Sequence, residues 1–333
     1  MKCTIMRLTA MVLFLYFTAI NALAKDLIPV GRVIGLELKD QQVVVAGFDE
    51  KSGKDALGAG LKTGDIIQKI DEIAITCPED IRRALNRSDG TVSLQISRNG
   101  QVSRVTLSPQ ITRDGPKLGL YLRHGVTGIG TVTWYDPDTG AFGTLGHGVN
   151  DSSGNLLPME AGSVYRARVL SVKKGKVGQP GQLMGAMESP EPIGTLSANT
   201  PQGVFGTCEK IWEGTPIPVA SADEVKTGTA TIRSNISGDT VREYSVKILK
   251  IYPKSRGGGR NLLIKVTDPE LLSATGGIVQ GMSGSPIIQN GKLIGAVTHV
   301  LVNDPTTGYG IFIENMLETA QSVAESNKLK EAS

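Results

Sequence analysis

The chain never lets an apolar run grow long. Its 333 residues include 41 glycines, and Gly, Pro, Asn and Asp break the hydrophobic stretches into short pieces. Few aromatics and many such interruptions favour numerous short strands over long helices. We therefore expect a mainly β protein. With 40% hydrophobic and 20% charged residues the chain can bury a substantial core, and its length suits two domains. The net charge is +3, and about +1 once Lys2 and Arg7 are set aside, leaving 33 bases against 32 acids. That balance gives no electrostatic reason to expect a nucleic-acid partner.

Residues 1–24 carry Lys2 and Arg7, then the mostly apolar stretch Leu8 to Ile20, then Ala22-Leu23-Ala24. This is the order of a secretory signal peptide or signal anchor, so the chain is expected to be exported across a membrane. The apolar run is shorter than the roughly 20 residues that cross a bilayer, which favours cleavage after Ala24. Cys77 and Cys208 make no metal spacing. No metal or organic cofactor is implied.

Gly281-Met282-Ser283-Gly284-Ser285-Pro286 is the stretch most suggestive of chemistry. Glycines on both sides of a serine allow a tight turn that projects the hydroxyl, and the amides of Gly281 and Ser283 would form an oxyanion hole. Ser285 is the rival nucleophile, and an ordinary turn is the rival reading of the whole stretch. A base must come from three histidines. His124 reads as a turn residue, and His299 as a sheet histidine on the strand after the serine loop. His147, in Gly146-His147-Gly148 at the end of a hairpin's second strand, is the expected base, with room between its glycines to face a cleft.

From Leu27 the order is strand, turn, strand, helix, strand, strand. Val43 to Phe48 is a β-branched run, Thr91 to Ser97 alternates with period two, and Asn99-Gly100 marks a tight hairpin leading to Val102 to Leu107. Between them Pro78 to Asn86 places Ile81 and Leu85 on one helical face. With Gly60-Leu61-Lys62-Thr63-Gly64-Asp65-Ile66-Ile67 and Ile70-Asp71, residues 27–108 resemble a PDZ domain of secreted bacterial proteases. The resemblance implies a peptide groove between the strand near Ile34 and the helix from Pro78. Gly31, Ile34, Gly35, Leu36, Ile81 and Leu85 are its expected lining, and a bare spacer role is the alternative.

Residues 109–117 read as a linker, and 118–330 as one further domain. Its strands are expected at Gly128 to Tyr135, Ala141 to Leu145, Val164 to Val172, Val241 to Tyr252 and Leu262 to Thr267. A hairpin through Asn290-Gly291 follows the serine loop, and Ile313, Met316, Leu317, Ala320, Val323 and Ala324 mark one face of a terminal helix. Gly257-Gly258-Gly259 lacks the Lys and Ser/Thr of a phosphate loop and reads as a mobile basic turn between Arg256 and Arg260. Lys173-Lys174-Gly175-Lys176 reads as a solvated hairpin tip that an anionic membrane surface could attract.

Phe142 to Gly148, Gln179-Pro180-Gly181-Gln182, Gly203-Val204-Phe205-Gly206, Val266 to Pro269, Gly276 to Pro286 and Thr298 to Pro305 together resemble the SpoIVB family of sporulation signalling serine peptidases. So does the order signal, PDZ, peptidase. The resemblance implies an N-terminal α+β PDZ domain followed by a trypsin-like double β-barrel and a C-terminal helix. It implies catalytic His147, Asp268 and Ser283 in that chain order. Asp151, Asp223 and Asp239 also lie between His147 and Ser283, and Asp268 could instead cap the helix that opens at Pro269. The implied role is cleavage of the extracytoplasmic part of a membrane-bound regulator of an intramembrane protease, in the space between forespore and mother-cell membranes, leading to activation of a late mother-cell sigma factor. A groove ligand would come from the substrate, from the enzyme itself through self-processing, or from a membrane-bound inhibitor. The alternatives are a general secreted PDZ quality-control protease and a non-catalytic PDZ adaptor.

Overall fold

A computed structural model describes residues 25–151, 154–209 and 212–331. The expected signal segment, residues 1–24, lies outside the described residues. No helix among the described residues is long and apolar enough to cross a membrane.

The chain forms β1 (Asp26–Pro29), β2 (Val33–Phe48), α1 (Lys54–Gly58), β3 (Ile66–Ile70), β4 (Ile73–Ala74), α2 (Pro78–Arg87), β5 (Val92–Arg98), β6 (Gln101–Leu107), β7 (Gln110–Thr112) and β8 (Gly115–Lys117). It continues through β9 (Leu120–Tyr135), β10 (Ala141–Thr144), β11 (Ala161–Lys173), β12 (Gln182–Met187), β13 (Gly194–Thr200), β14 (Gly203–Cys208) and β15 (Ile217–Pro218). Last come β16 (Gly228–Ser237), β17 (Thr240–Ile251), β18 (Leu262–Val266), α3 (Pro269–Thr275), β19 (Pro286–Gln289), β20 (Lys292–Leu301), β21 (Asp304–Phe312) and α4 (Ile313–Glu331). The expected mainly β class is what the chain adopts.

Two compact units are present. The first comprises the described residues up to Leu36 together with Gly128–Leu156 and Ser163 onward; the second comprises Glu37–Thr127 and Leu157–Gly162. In the first unit β16-β17-β18-β21-β20-β19 close into a barrel. Its interior is filled from alternate positions of each strand, among them Ile232, Tyr244, Val246, Ile264, Ile287 and Phe312. Pairing of β2 with β9 closes a second ring, β2-β9-β10-β14-β13-β11. Trp134, Phe205 and Leu293 pack with Ile313 and Met316 of α4, and Leu317 and Ala320 lie against them, so the first half of the predicted apolar face is buried, while Val323 lies outside that cluster and Ala324 is exposed.

The boundary expected near residue 27 falls elsewhere. β1 pairs with β15 and β9, with Leu27 opposite Ile217 and Ile28 opposite Tyr135, so the chain's first strand belongs to the double-barrel unit. Burial explains it: Leu27, Ile28, Val33, Ile34 and Leu36 are all core residues. Residues 110–117, expected as part of a linker, form the β7–β8 hairpin.

The second unit holds β3, β5 and β6 in antiparallel order, with α2 on their apolar core. Asn99 (φ 50°) and Gly100 (φ 78°) make the predicted two-residue turn between β5 and β6. Asp65 is fully buried and receives the Arg98 fork at 2.6 and 2.7 Å. Burial alone would push its pKa up; the Arg98 bonds and the Lys62 amide outweigh it and hold the carboxyl below the ordinary range.

Candidate active site

The serine loop begins where α3 stops at Gly276 (φ 75°) and ends where β19 starts. Gly281 (φ 97°) and Gly284 (φ 95°) adopt left-handed conformations, and a Cβ at Gly284 would lie 2.0 Å from the Thr131 carbonyl oxygen. Thr131 of β9 holds the loop from both main chain and side chain. Its amide donates to the Ser283 carbonyl at 3.1 Å and its hydroxyl to the Gly281 carbonyl at 2.8 Å. With those carbonyls turned to Thr131, the amides of Gly281 and Ser283 donate to no acceptor among the described residues. These are the two amides expected to receive an oxyanion.

Ser283 is half-buried, and its hydroxyl donates to the Thr298 carbonyl of β20 at 2.7 Å. Ser285 is fully buried, with its hydroxyl on Ser234 at 3.2 Å. Of the two serines, only Ser283 is partly open to solvent. The Gln179 to Gln182 turn braces the loop from outside: Gln280 donates to the Gly181 carbonyl at 2.9 Å and Leu183 donates to the Gln280 carbonyl at 2.8 Å.

His147 leaves the β9–β10 hairpin through Leu145 (φ 68°) and Gly146 (φ 69°). Left-handed geometry at a leucine costs about 1–2 kcal/mol, and the surrounding packing must sustain it. The His147 Nδ1 lies 2.9 Å from the Gly148 carbonyl oxygen. A carbonyl only accepts, so Nδ1 carries the hydrogen and Nε2 keeps the lone pair a general base needs. Asn199 pins the adjoining residue, accepting from the Val149 amide at 2.9 Å and donating to its carbonyl at 2.8 Å. Burial pushes the His147 pKa down, and the Gly148 carbonyl partly opposes that.

The rings of His147 and His299 lie 5.1 Å apart, tilted by 38°. His299 keeps a buried Nδ1 without a hydrogen-bond partner. Burial, then His147 and Arg260, push its pKa down to about 4. Ser283 and His147 thus meet β20 at consecutive residues, Thr298 and His299. The serine hydroxyl rests on a main-chain oxygen, and a turn about χ1 is needed to release it to an imidazole.

The Asp268 carboxylate is engaged at the start of α3, with no bond to His147 among the described residues. It accepts from the Leu271 amide at 3.0 Å and the Ser245 amide at 3.2 Å, capping α3. His299 pairs across the sheet with Tyr309, and Tyr309 with Leu263 of β18. Asp268 follows two residues after the end of β18, where α3 begins. The helix-capping alternative, written locally in Asp268-Pro269-Glu270, is the one the structure adopts.

The expected peptide-groove residues are divided between the two units. Gly31, Ile34, Gly35 and Leu36 belong to the first unit and Ile81 and Leu85 to the second. Ile34, Leu36, Ile81 and Leu85 are core side chains, and a Cβ at Gly31 would lie 2.7 Å from that of Arg233. Their apolar spacing reports interior packing within each unit.

The residues flanking Gly257 and Gly258 are held by hydrogen bonds. Buried Asn261 donates to the carbonyls of Pro253, Lys254 and Arg256 at 2.9, 3.2 and 3.3 Å, and the Thr298 hydroxyl donates to Gly259 at 2.6 Å. Asn199, Thr298 and Thr131 escape a reading of local motifs because each acts on residues far away in sequence, at separations of 50, 39 and 150. No group of three or more His, Cys, Asp or Glu among the described residues could hold a metal.

Two outcomes follow from this geometry. Asp268→Asn retains the cap and leaves kcat/KM within about threefold, whereas Asp268→Ala lowers stability by about 1 kcal/mol in denaturant unfolding; a loss near 10⁴-fold in the Asn variant would instead place the carboxylate on His147 during turnover. Because burial depresses the His147 pKa, the neutral base persists to lower pH, and the acid limb of kcat/KM falls below the ordinary imidazole value of about 6.5. An acid limb above that value contradicts the assignment. The stability linkage has the same sign: the unfolded chain takes up protons first as pH falls below about 6.5, so stability contributed by neutral His147 and His299 is lost on the acid side.

The SpoIVB peptidase S55 family description matches residues 114–317. No curated protein matches the chain. Among solved structures, the active form of the Rv3671c protease from M. tuberculosis is 17% identical, covering 58% of this chain and 71% of that one at a TM-score of 0.34. Its inactive form is 16% identical, covering 60% and 84% at a TM-score of 0.34. Structural likeness at that level carries no argument here. The family match, by contrast, spans more than half of the sequence and takes in both His147 and the Ser283 loop: this chain belongs to the SpoIVB peptidase S55 family.

Proposed function

We propose that the chain is an exported serine endopeptidase in which Ser283 is the nucleophile and His147 the general base. The observation that carries the reading is the convergence of a half-buried Ser283 hydroxyl and a correctly tautomeric His147 on Thr298 and His299, beside two undonated amides. On substrate binding Ser283 Oγ turns from the Thr298 carbonyl, passes its proton to His147 Nε2 and attacks the peptide carbonyl carbon. The negative oxygen of the tetrahedral intermediate is received by the amides of Gly281 and Ser283. The imidazolium, with its Nδ1 hydrogen still on Gly148, returns the proton to the leaving amine. Water then repeats the sequence to release the acyl group.

The biological role offered is the signalling one: cleavage of the extracytoplasmic part of a membrane-bound regulator during endospore formation, outside the cytoplasmic membrane. Family membership and the pattern of residues 1–24 support it. The second unit is proposed as a PDZ-type peptide-binding module on the strength of its Gly60 to Asp71 pattern, with a binding face other than the six core and barrel residues first expected. A cleft of about 750 Å³ within that unit, lined by Gln42, Gln68, Lys69, Ile75 and Gln95, offers such a face.

Fluorophosphonate labelling tests the nucleophile. Wild type is compared with two single variants: Ser283→Ala abolishes labelling, while Ser285→Ala, if folded, retains it. Equal labelling of wild type and Ser283→Ala would overturn the assignment.

A further inference from the structure

On the loop that packs against Gly146 and Thr298 the chain carries two cations whose placement the peptidase mechanism does not use. The 253–260 loop reaches into the site: a Cβ at Gly259 would lie 2.9 Å from the Gly146 carbonyl oxygen and 3.0 Å from Thr298 Cγ2. Arg256 and Arg260 stand at either side of the three glycines. The Arg256 guanidinium carbon lies 3.8 Å from the Tyr252 ring centre and 5.7 Å from that of Tyr309, and Arg260 lies 5.6 Å from Tyr309. Lys250 adds a third cation, 4.9 Å over Tyr252.

At 3.8 Å from the Tyr252 ring the Arg256 guanidinium is within stacking distance, a contact that leaves in-plane N–H groups available to a carboxylate, while Arg260 lies farther from its ring. Neither arginine has a carboxylate partner among the described residues. The nearby acids Glu314 and Glu318 are both held by Lys254, at 2.9 and 2.5 Å. The loop carrying these charges is tied at four carbonyls, three by Asn261 and one by Thr298. Arg260 is also close enough to His299 to push its pKa down. A polypeptide laid across Ser283 therefore passes a preformed, unsatisfied cationic rim.

We infer that Arg256 and Arg260 form a specificity subsite that selects an aspartate or glutamate of the substrate chain within a few residues of the scissile bond. The inference rests on the peptidase reading and names its substrate class: peptides with an acidic residue at one fixed position. A purely structural role for the stacks, fastening the loop to the sheet, would leave substrate choice untouched.

The test is cleavage of a proteome-derived peptide library by the full chain, with cut sites aligned. Asp and Glu are expected to be enriched at one position. For a reporter peptide built on that consensus, Arg256→Gln/Arg260→Gln raises KM roughly 10- to 100-fold with kcat within about threefold, as loss of charge-assisted hydrogen bonds predicts. The same reporter with Asn or Gln at that position is cut equally by both enzymes. Should the double variant fail to fold, wild type alone decides: raising ionic strength must erase its preference for the acidic reporter over the neutral one. Cleavage without acidic enrichment, or a preference that survives the double variant, overturns the inference and leaves the peptidase reading standing. A wild type that neither cuts the library nor takes up fluorophosphonate removes both.

Discussion

Thr131 is the joint on which the proposed chemistry depends. It is fully buried on β9, and its amide and hydroxyl take up the carbonyls of Ser283 and Gly281 while its own carbonyl accepts the Thr144 hydroxyl at 2.6 Å. The serine loop comes from one ring of strands and the histidine hairpin from the other, and this residue fastens them together. Its bonds also decide the polarity of the loop: with both carbonyls turned inward to Thr131, the amides of Gly281 and Ser283 are left to face the site. The absence of a side chain at Gly284 is what lets the two main chains approach so closely.

A second consequence concerns the histidine. In a Ser-His-Asp arrangement a carboxylate fixes the tautomer and stabilises the imidazolium. Here the Gly148 carbonyl performs the first task, and His299 lies against the ring with a depressed pKa. Two adjacent imidazoles disfavour simultaneous charging, so a neutral His299 leaves His147 free to be the one that accepts a proton. Asp268 meanwhile stabilises the start of α3, which positions the approach to the serine loop through Gly276.

Much of this was legible beforehand, for identifiable physical reasons. Alternation revealed the barrel strands, and Asn99-Gly100 and Asn290-Gly291 revealed hairpins because those pairs tolerate the positive φ their turns require. Ser283 and His147 stood out because glycines flank them. What stayed hidden was partnership. Apolar spacing at Ile34, Leu36, Ile81 and Leu85 shows that a face is buried and is silent on whether a ligand or the protein's own core covers it. The first strand reads as the start of the N-terminal domain until its pairing with β9 and β15 assigns it to the barrels. Three consecutive glycines suggest mobility, and composition alone does not reveal that Asn261, just beyond them, ties the carbonyls of Pro253, Lys254 and Arg256 together.

The most direct measurement is a crystal structure of the chain bearing a phosphonate adduct. The account predicts a bond from phosphorus to Ser283 Oγ, a phosphoryl oxygen about 3 Å from the amides of both Gly281 and Ser283, and His147 Nε2 turned toward the adduct. An adduct on another residue, or a phosphoryl oxygen directed away from those two amides, would contradict it.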